Sequence, residues 1–219
     1  MSRQAKSQQA ESRQAESHEQ SGGRFIAFEG GEGCGKSTQA QRLADHLDAR
    51  LTREPGGTPA GERLRDIVLD PATGELDFRA EVLLIAAARA DHVAQVIRPA
   101  LAAGRDVVCD RYVASSLAYQ GHGRGLPVAE VALVNDWGTG GLRPDLTILI
   151  DVPEAVAAER MGTDRDRLEA VGDGFHQRVA DGYRSLAAED PAGWAVVDGS
   201  GSMDDVFTLV LAAVQARLG

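Results

Sequence analysis

The sequence predicts an α/β fold, a doubly wound parallel sheet of about five strands with helices on both faces. Three observations carry that expectation. From Arg24 onward, short apolar and β-branched runs alternate with longer stretches of helical periodicity. The first run, Phe25-Ile26-Ala27-Phe28, leads into the glycine-rich octapeptide GGEGCGKS at 30–37 and then into a helical pattern. The breakers Pro71, Gly74, Gly104 and Pro144 fall between the periodic stretches.

In chain order, residues 1–23 come first and differ in kind. Ser, Gln, Glu, Arg and Ala dominate, no large apolar residue follows Met1, and Ser2-Arg3-Gln4-Ala5 recurs as Ser12-Arg13-Gln14-Ala15. Such a segment buries too little surface to offset ordering entropy, so it reads as a disordered tail; it also lacks the apolar centre of a secretory signal. One domain follows from 24 to 219. Strands are expected at Phe25–Glu29, near Leu51–Arg53, and at Asp106–Asp110, Leu146–Asp151 and Ala195–Val197. Helices are expected at Ser37–Ala49, Pro59–Leu69, Phe78–Ala103, Val128–Trp137, Pro153–Arg160, Phe175–Ala188 and Met203–Leu218. Ligands of open α/β sheets gather at the carboxyl ends of strands. Glu29, Arg53, Asp110 and Asp151 end strand candidates and are expected to face a ligand.

Composition bounds the chemistry. The formal charge of -10 argues against nonspecific binding to nucleic acid or to an anionic membrane, so an anionic substrate needs a local cationic pocket. No run reaches the roughly 18 apolar residues of a membrane span. The two cysteines, Cys34 and Cys109, have neither metal-ligand spacing nor a disulfide framework and read as small buried residues of a cytoplasmic protein.

The octapeptide fits the phosphate-binding pattern G-x-x-x-x-G-K-[ST]. Gly30, Gly33 and Gly35 let successive backbone N–H groups turn inward around phosphate oxygens. Lys36 reaches the β/γ-phosphates and Ser37 offers a hydroxyl to Mg²⁺. Gly30, Gly31, Glu32, Gly33, Cys34, Gly35, Lys36, Ser37 and Thr38 form the expected ATP site. Lys36 is one of only two lysines, the other being Lys6 in the tail, which suggests a role. Asp110, at a strand end, is the expected outer-sphere Mg²⁺ partner, a role compatible with capping the next helix. Arg53, Arg65, Arg89 and Arg111 lie at strand ends and on flanking helices and point to a second anionic phosphate site.

FEGGEGCGKST at 28–38, TREPGGT at 52–58, AAAR at 86–89, DRYVASSLAYQG at 110–121, RPDLTILIDV at 143–152 and DRLE at 166–169 together resemble the bacterial thymidylate kinase family, in order from about Arg24 to the C-terminus. The resemblance implies a three-layer P-loop NTPase fold with a mobile lid, transfer of the γ-phosphate of ATP·Mg²⁺ to dTMP, and a homodimer through apolar helix faces, of which Val82–Ala94 is the favoured one. It places Glu32 at the sugar 3′-hydroxyl, Arg53, Arg65 and Arg111 around the monophosphate, and Asp110 near the metal. Arg89 and Gln120 would read the pyrimidine edge, with Ser116 and Tyr119 lining base and sugar.

The Gly- and Asp-rich segment 161–174 reads as a mobile flap and resembles the family's lid. The loop at 30–37 has no arginine, so Arg165 and Arg167 are the expected suppliers of charge to the transferring phosphoryl group. One position departs from the family: the usual stacking Phe is replaced by Ile85, which turns stacking on the base into aliphatic contact. A kinase for another nucleoside monophosphate would keep this fold. A nucleotide-dependent switch would instead bind a partner protein, and no Asn-Lys-x-Asp guanine-reading motif occurs.

Overall fold

The computed structural model describes residues 22–160, 167 and 174–219; the expected tail, apart from Gly22 and Gly23, and the expected lid, apart from Arg167 and Gly174, lie outside them. Five parallel strands, β1 (Phe25–Glu29), β2 (Arg50–Arg53), β3 (Val107–Asp110), β4 (Leu146–Asp151) and β5 (Trp194–Asp198), form one sheet in the order β2-β3-β1-β4-β5. All five β1 residues are buried, as expected of a central strand covered on both faces.

Alternation along β1 divides the core. Ile26 and Phe28 pack with Leu43 of α1 (Lys36–Leu47) and with Val206 and Val210 of α8 (Met203–Leu218). Phe25 and Ala27 face the opposite way and pack with Val93, Ile97 and Tyr112. Much of that second layer comes from the wide-turn segment Val93–Ile97 and from Arg98–Ala102, through which α3 (Phe78–His92) runs on. The wide turn ends two residues before Pro99, whose ring would otherwise crowd the carbonyl four residues back.

The remaining helices are α2 (Pro59–Leu69), α4 (Val113–Ser116), α5 (Val128–Thr139), α6 (Glu154–Arg160) and α7 (Phe175–Glu189). Thr58 caps α2 by accepting from Gly61 N, with Pro59 in the first turn, where its missing N–H costs nothing. Ser202 caps α8 in the same way, accepting from Asp205 N. The expected elements are present within one to three residues at their ends. One was missed: α4 continues as wide helical turns over Leu117–Gly123, a stretch without a clear helical period and with two glycines. Gly23, counted with the tail, donates its N–H to Leu101 O at 3.0 Å.

This strand order puts β3 on one side of β1 and β4 on the other. The crevice above the carboxyl end of β1 is therefore the switch point at which such sheets bind ligands.

Candidate active site

β1 ends at Glu29 and the chain turns through Gly30–Gly35 into the N-terminus of α1. Gly30 has φ 147°, and a Cβ there would lie 2.6 Å from Ile150 O and 2.8 Å from Cys34 Sγ, so only glycine lets the loop pass this close to β4. Gly33 and Gly35 also have positive φ, at 70° and 88°. Lys36 is buried; its ammonium donates to Gly31 O at 3.2 Å and lies 3.7 Å from Glu32 Oε2. The helix N-terminus and this ammonium face the same loop, an arrangement that suits an anion.

Asp110 ends β3, paired in register with Phe28 on one side and Arg53 on the other. It shares a cavity of about 180 Å³ with Lys36 and Ser37, and its Oδ1 is buried with no hydrogen-bond partner among the described residues. An orphaned carboxylate oxygen beside a serine hydroxyl, in an all-oxygen donor set, fits a hard divalent cation such as Mg²⁺.

Arg111 follows with φ 72°, a left-handed conformation that costs an ordinary residue on the order of 1 kcal/mol or more. The turn brings its guanidinium back over the loop. There Nη1 donates to Gly30 O at 3.1 Å, Ser115 Oγ at 3.2 Å and Tyr183 Oη at 3.0 Å, while Nη2 donates to Glu32 and, at 3.2 Å, to Tyr119 Oη. The guanidinium also lies 5.0 Å over the Tyr119 ring. The Tyr119 hydroxyl donates to Glu32 Oε1 at 2.8 Å. Burial pushes the Tyr119 and Tyr183 phenols well above their usual range, so both remain protonated donors.

One strand-end acid, Glu29, does not face the crevice as expected. Glu29 is wholly buried: it accepts from Tyr112 N at 2.8 Å, Ser115 N at 3.2 Å, Ser115 Oγ at 2.6 Å and Tyr183 Oη at 3.0 Å. It is thus the acidic partner of the N-terminus of α4, which a strand pattern alone cannot show. Burial pushes its carboxyl above the usual range, against the opposing effect of those hydrogen bonds and of Arg111. Asp151 pairs with Arg184 of α7 through both carboxylate oxygens at 3.0 Å, and it lines a second cavity together with Gly31 and Glu32 of the loop.

On the other side of the cavity, Arg53 pairs with Glu62 at 2.8 Å, and both Arg53 and Arg65 donate to Pro55 O. Behind them Arg89 of α3 is 2 % exposed and its partner Glu54 1 %. The Arg89 guanidinium donates to Glu54 Oε2, to Ser116 Oγ and Tyr112 O at 2.9 Å each, and to Asn135 Oδ1. His92, one helical turn on, bridges Glu54 Oε1 at 2.8 Å and Thr52 Oγ1 at 2.6 Å. Cys109 Sγ lies beside Glu54 and His92, but the His92 nitrogens and both Glu54 oxygens already have protein partners, and burial pushes the Cys109 thiol up.

Glu32, Lys36, Ser37, Arg53, Arg65, Ile85, Arg89, Asp110, Arg111, Ser116, Tyr119 and Gln120, all picked out in the sequence, line this one cavity. Arg167 does not: its guanidinium donates to Val68 O at 2.7 Å and to Glu81. Arg165 lies outside the described residues. Sequence reasoning assigned no role to Glu54, Glu81, Asn135 or Ser115. A signal existed for Glu81, which stands four residues before Ile85 and eight before Arg89, on the same helical stripe.

A family model described as thymidylate kinase matches residues 28–210. A thymidylate kinase of Desulfovibrio desulfuricans is 47% identical over 208 residues, covering 89% of this chain and 96% of that protein. One of Geotalea uraniireducens is 44% identical over 209 residues, covering 90% and 98%. The crystal structure of a thymidylate kinase from Ehrlichia chaffeensis superposes with a TM-score of 0.73 at 32% identity, covering 89% of this chain and 99% of that one.

Proposed function

The chain belongs to the thymidylate kinase family and phosphorylates dTMP to dTDP with the γ-phosphate of ATP for dTTP biosynthesis, and we propose that transfer runs in line across the cavity described above. The observation that carries this site assignment is that one cavity collects the phosphate-loop Lys36, the strand-end Asp110 and Arg111, and the base-side Arg89 and Gln120. Backbone N–H groups of residues 30–38 and Lys36 hold the triphosphate, and Arg53, Arg65 and Arg111 clamp the monophosphate. Glu32, now held by Arg111 and Tyr119, is placed to accept from the sugar 3′-hydroxyl. A dTMP phosphate oxygen bonds to the γ-phosphorus as the bond from that phosphorus to the β,γ-bridging oxygen breaks, releasing ADP; no covalent enzyme intermediate is needed. Ser37 and Asp110 would hold Mg²⁺, which when bound neutralises charge on the phosphate oxygens. Arg165 and Arg167 are proposed to add charge at the transferring group; Arg167 must then exchange Glu81 for phosphate.

An ADP-release assay with ATP·Mg²⁺ against a panel of monophosphates tests the substrate. Turnover with another monophosphate and none with dTMP would overturn the reading. Ile85 stands where the base is expected, beside Arg89 and Gln120. Ile85→Phe is expected to tighten dTMP and dUMP binding alike by up to about 1 kcal/mol through stacking, read by calorimetry. Overpacking against Val68 would instead weaken both by about 1 to 3 kcal/mol, and unchanged binding of both would place the base elsewhere.

We also propose a cytoplasmic homodimer, on a narrower face than expected. Within 82–94 most apolar side chains point into the chain's own core, and of the large ones only Leu83 is exposed. It adjoins α5, which exposes Leu133 at 69% and Trp137 at 88%, an apolar patch of the kind that interfaces cover. Leu133→Arg should convert the dimer to a monomer of half the mass in size-exclusion light scattering. A wild-type monomer at assay concentration would remove the proposal. Among the described residues no helix is long and apolar enough to cross a membrane.

A further inference from the structure

Glu81 is wholly buried in the first turn of α3, and it does not line the cavity. Its Oε1 accepts from Gln120 Nε2 at 3.0 Å, and its Oε2 from Arg124 Nη2 at 3.2 Å and from Arg167. Guanidinium groups only donate, so the carboxylate facing two of them only accepts. A primary amide can in general present either its oxygen or its nitrogen by a half turn. Next to this carboxylate it has one choice, with the NH₂ toward Glu81 and the carbonyl oxygen turned away. Gln120 lines the cavity, and among the described residues no protein donor reaches its carbonyl oxygen.

Resting on the reading above that Gln120 meets the pyrimidine edge, we propose that Glu81 is a positioning residue for base selection. By locking the Gln120 amide it presents an acceptor to the base, which must then carry a hydrogen on ring N3. Thymine and uracil have that hydrogen; cytosine has a bare acceptor nitrogen there and meets the carbonyl lone pair to lone pair. With the amide reversed, the same residue would donate to cytosine. Selection thus lies in a side chain that touches no substrate, through the chemical fact that a carboxylate cannot donate.

The test is kcat/KM for dTMP and for dCMP, measured on one preparation so that the fraction of active protein cancels in their ratio. Glu81→Gln, whose amide can accept or donate, should lower the dTMP/dCMP ratio by about tenfold or more, since a mismatched buried hydrogen bond is the main source of such discrimination. Glu81→Asp, which still only accepts, should keep most of the ratio. An unchanged ratio in folded Glu81→Gln would overturn the inference. A wild-type enzyme with no preference for dTMP would instead overturn the substrate reading beneath it. If Glu81→Gln does not fold, the side-chain NH₂ of Gln120 in wild-type protein decides, observed by NMR and assigned by its loss in Gln120→Leu. Protection from solvent exchange before dTMP is added supports the inference, and protection only after dTMP is added overturns it.

Discussion

Lys36→Ala is expected to cut kcat by about 10² to 10³ while the melting temperature stays close to wild type. Lys36 makes one backbone hydrogen bond, to Gly31 O, and a 3.7 Å ion pair with Glu32 within its own loop, so the ground state loses little by its removal. What is lost is a positive charge, held in a nearly dry site, at the place where negative charge shifts during transfer. Because that charge matters most in the transition state, kcat should fall more than the KM for dTMP rises. Saturating both substrates in a coupled assay and melting the same samples separates the two effects. Near-wild-type turnover would show that Arg111 or another cation carries the work assigned here to Lys36.

Arg89→Leu should produce the largest loss of stability. Among the described residues it leaves Glu54, 1 % exposed, with only His92 as a side-chain partner, and it strips donors from Tyr112 O, Ser116 and Asn135 in the same buried space. Breaking a buried pair from one side costs about 3–5 kcal/mol, a large part of the roughly 5–15 kcal/mol that holds a domain together. For a chain of this size the melting temperature should fall on the order of 10 °C. The double variant Arg89→Leu with Glu54→Leu should recover much of that loss, because replacing both members by apolar side chains is often near neutral. If Arg89→Leu melted with wild type, the pair would contribute nothing to the fold. In the double variant, recovery of stability without recovery of dTMP binding would separate the structural role of Arg89 from its place at the base.

Much of the site was legible in the chain because it is local. The phosphate loop occupies consecutive residues, and Asp110 and Arg111 leave one strand end together. The stripe Ile85–Arg89 lies on one face of one helix. Short-range sterics and side-chain period are enough to place such groups. Glu29 shows the limit, since a carboxylate at a strand end was expected to face a ligand but is buried by a tyrosine 154 residues away and by the start of a helix with no sequence signal of its own. Arg167 shows it again, because proximity in a motif could not reveal that its partner is Glu81, 86 residues earlier.

What the sequence determined by itself was the class of fold, the glycine-rich loop and most of the residues that line the cavity at the switch point. The fold class and the loop follow from local periodicity and from the glycine spacing, and Asp110 and Arg111 from their position at a strand end, whereas Ile85, Ser116, Tyr119 and Gln120 were reached through the family resemblance of their motifs. What only the tertiary structure decided was the pairing among those residues: Glu54 with Arg89 across 35 positions, Glu81 with Gln120 across 39, and Glu32 with Arg111 across 79. Such pairs form where the order β2-β3-β1-β4-β5 and the packing of α3 against α2 and against the wide turns at Leu117–Gly123 bring distant backbone together. In a buried site the partner sets the protonation, orientation and availability of each polar group, so the pairing decides the chemistry that the motifs alone leave open.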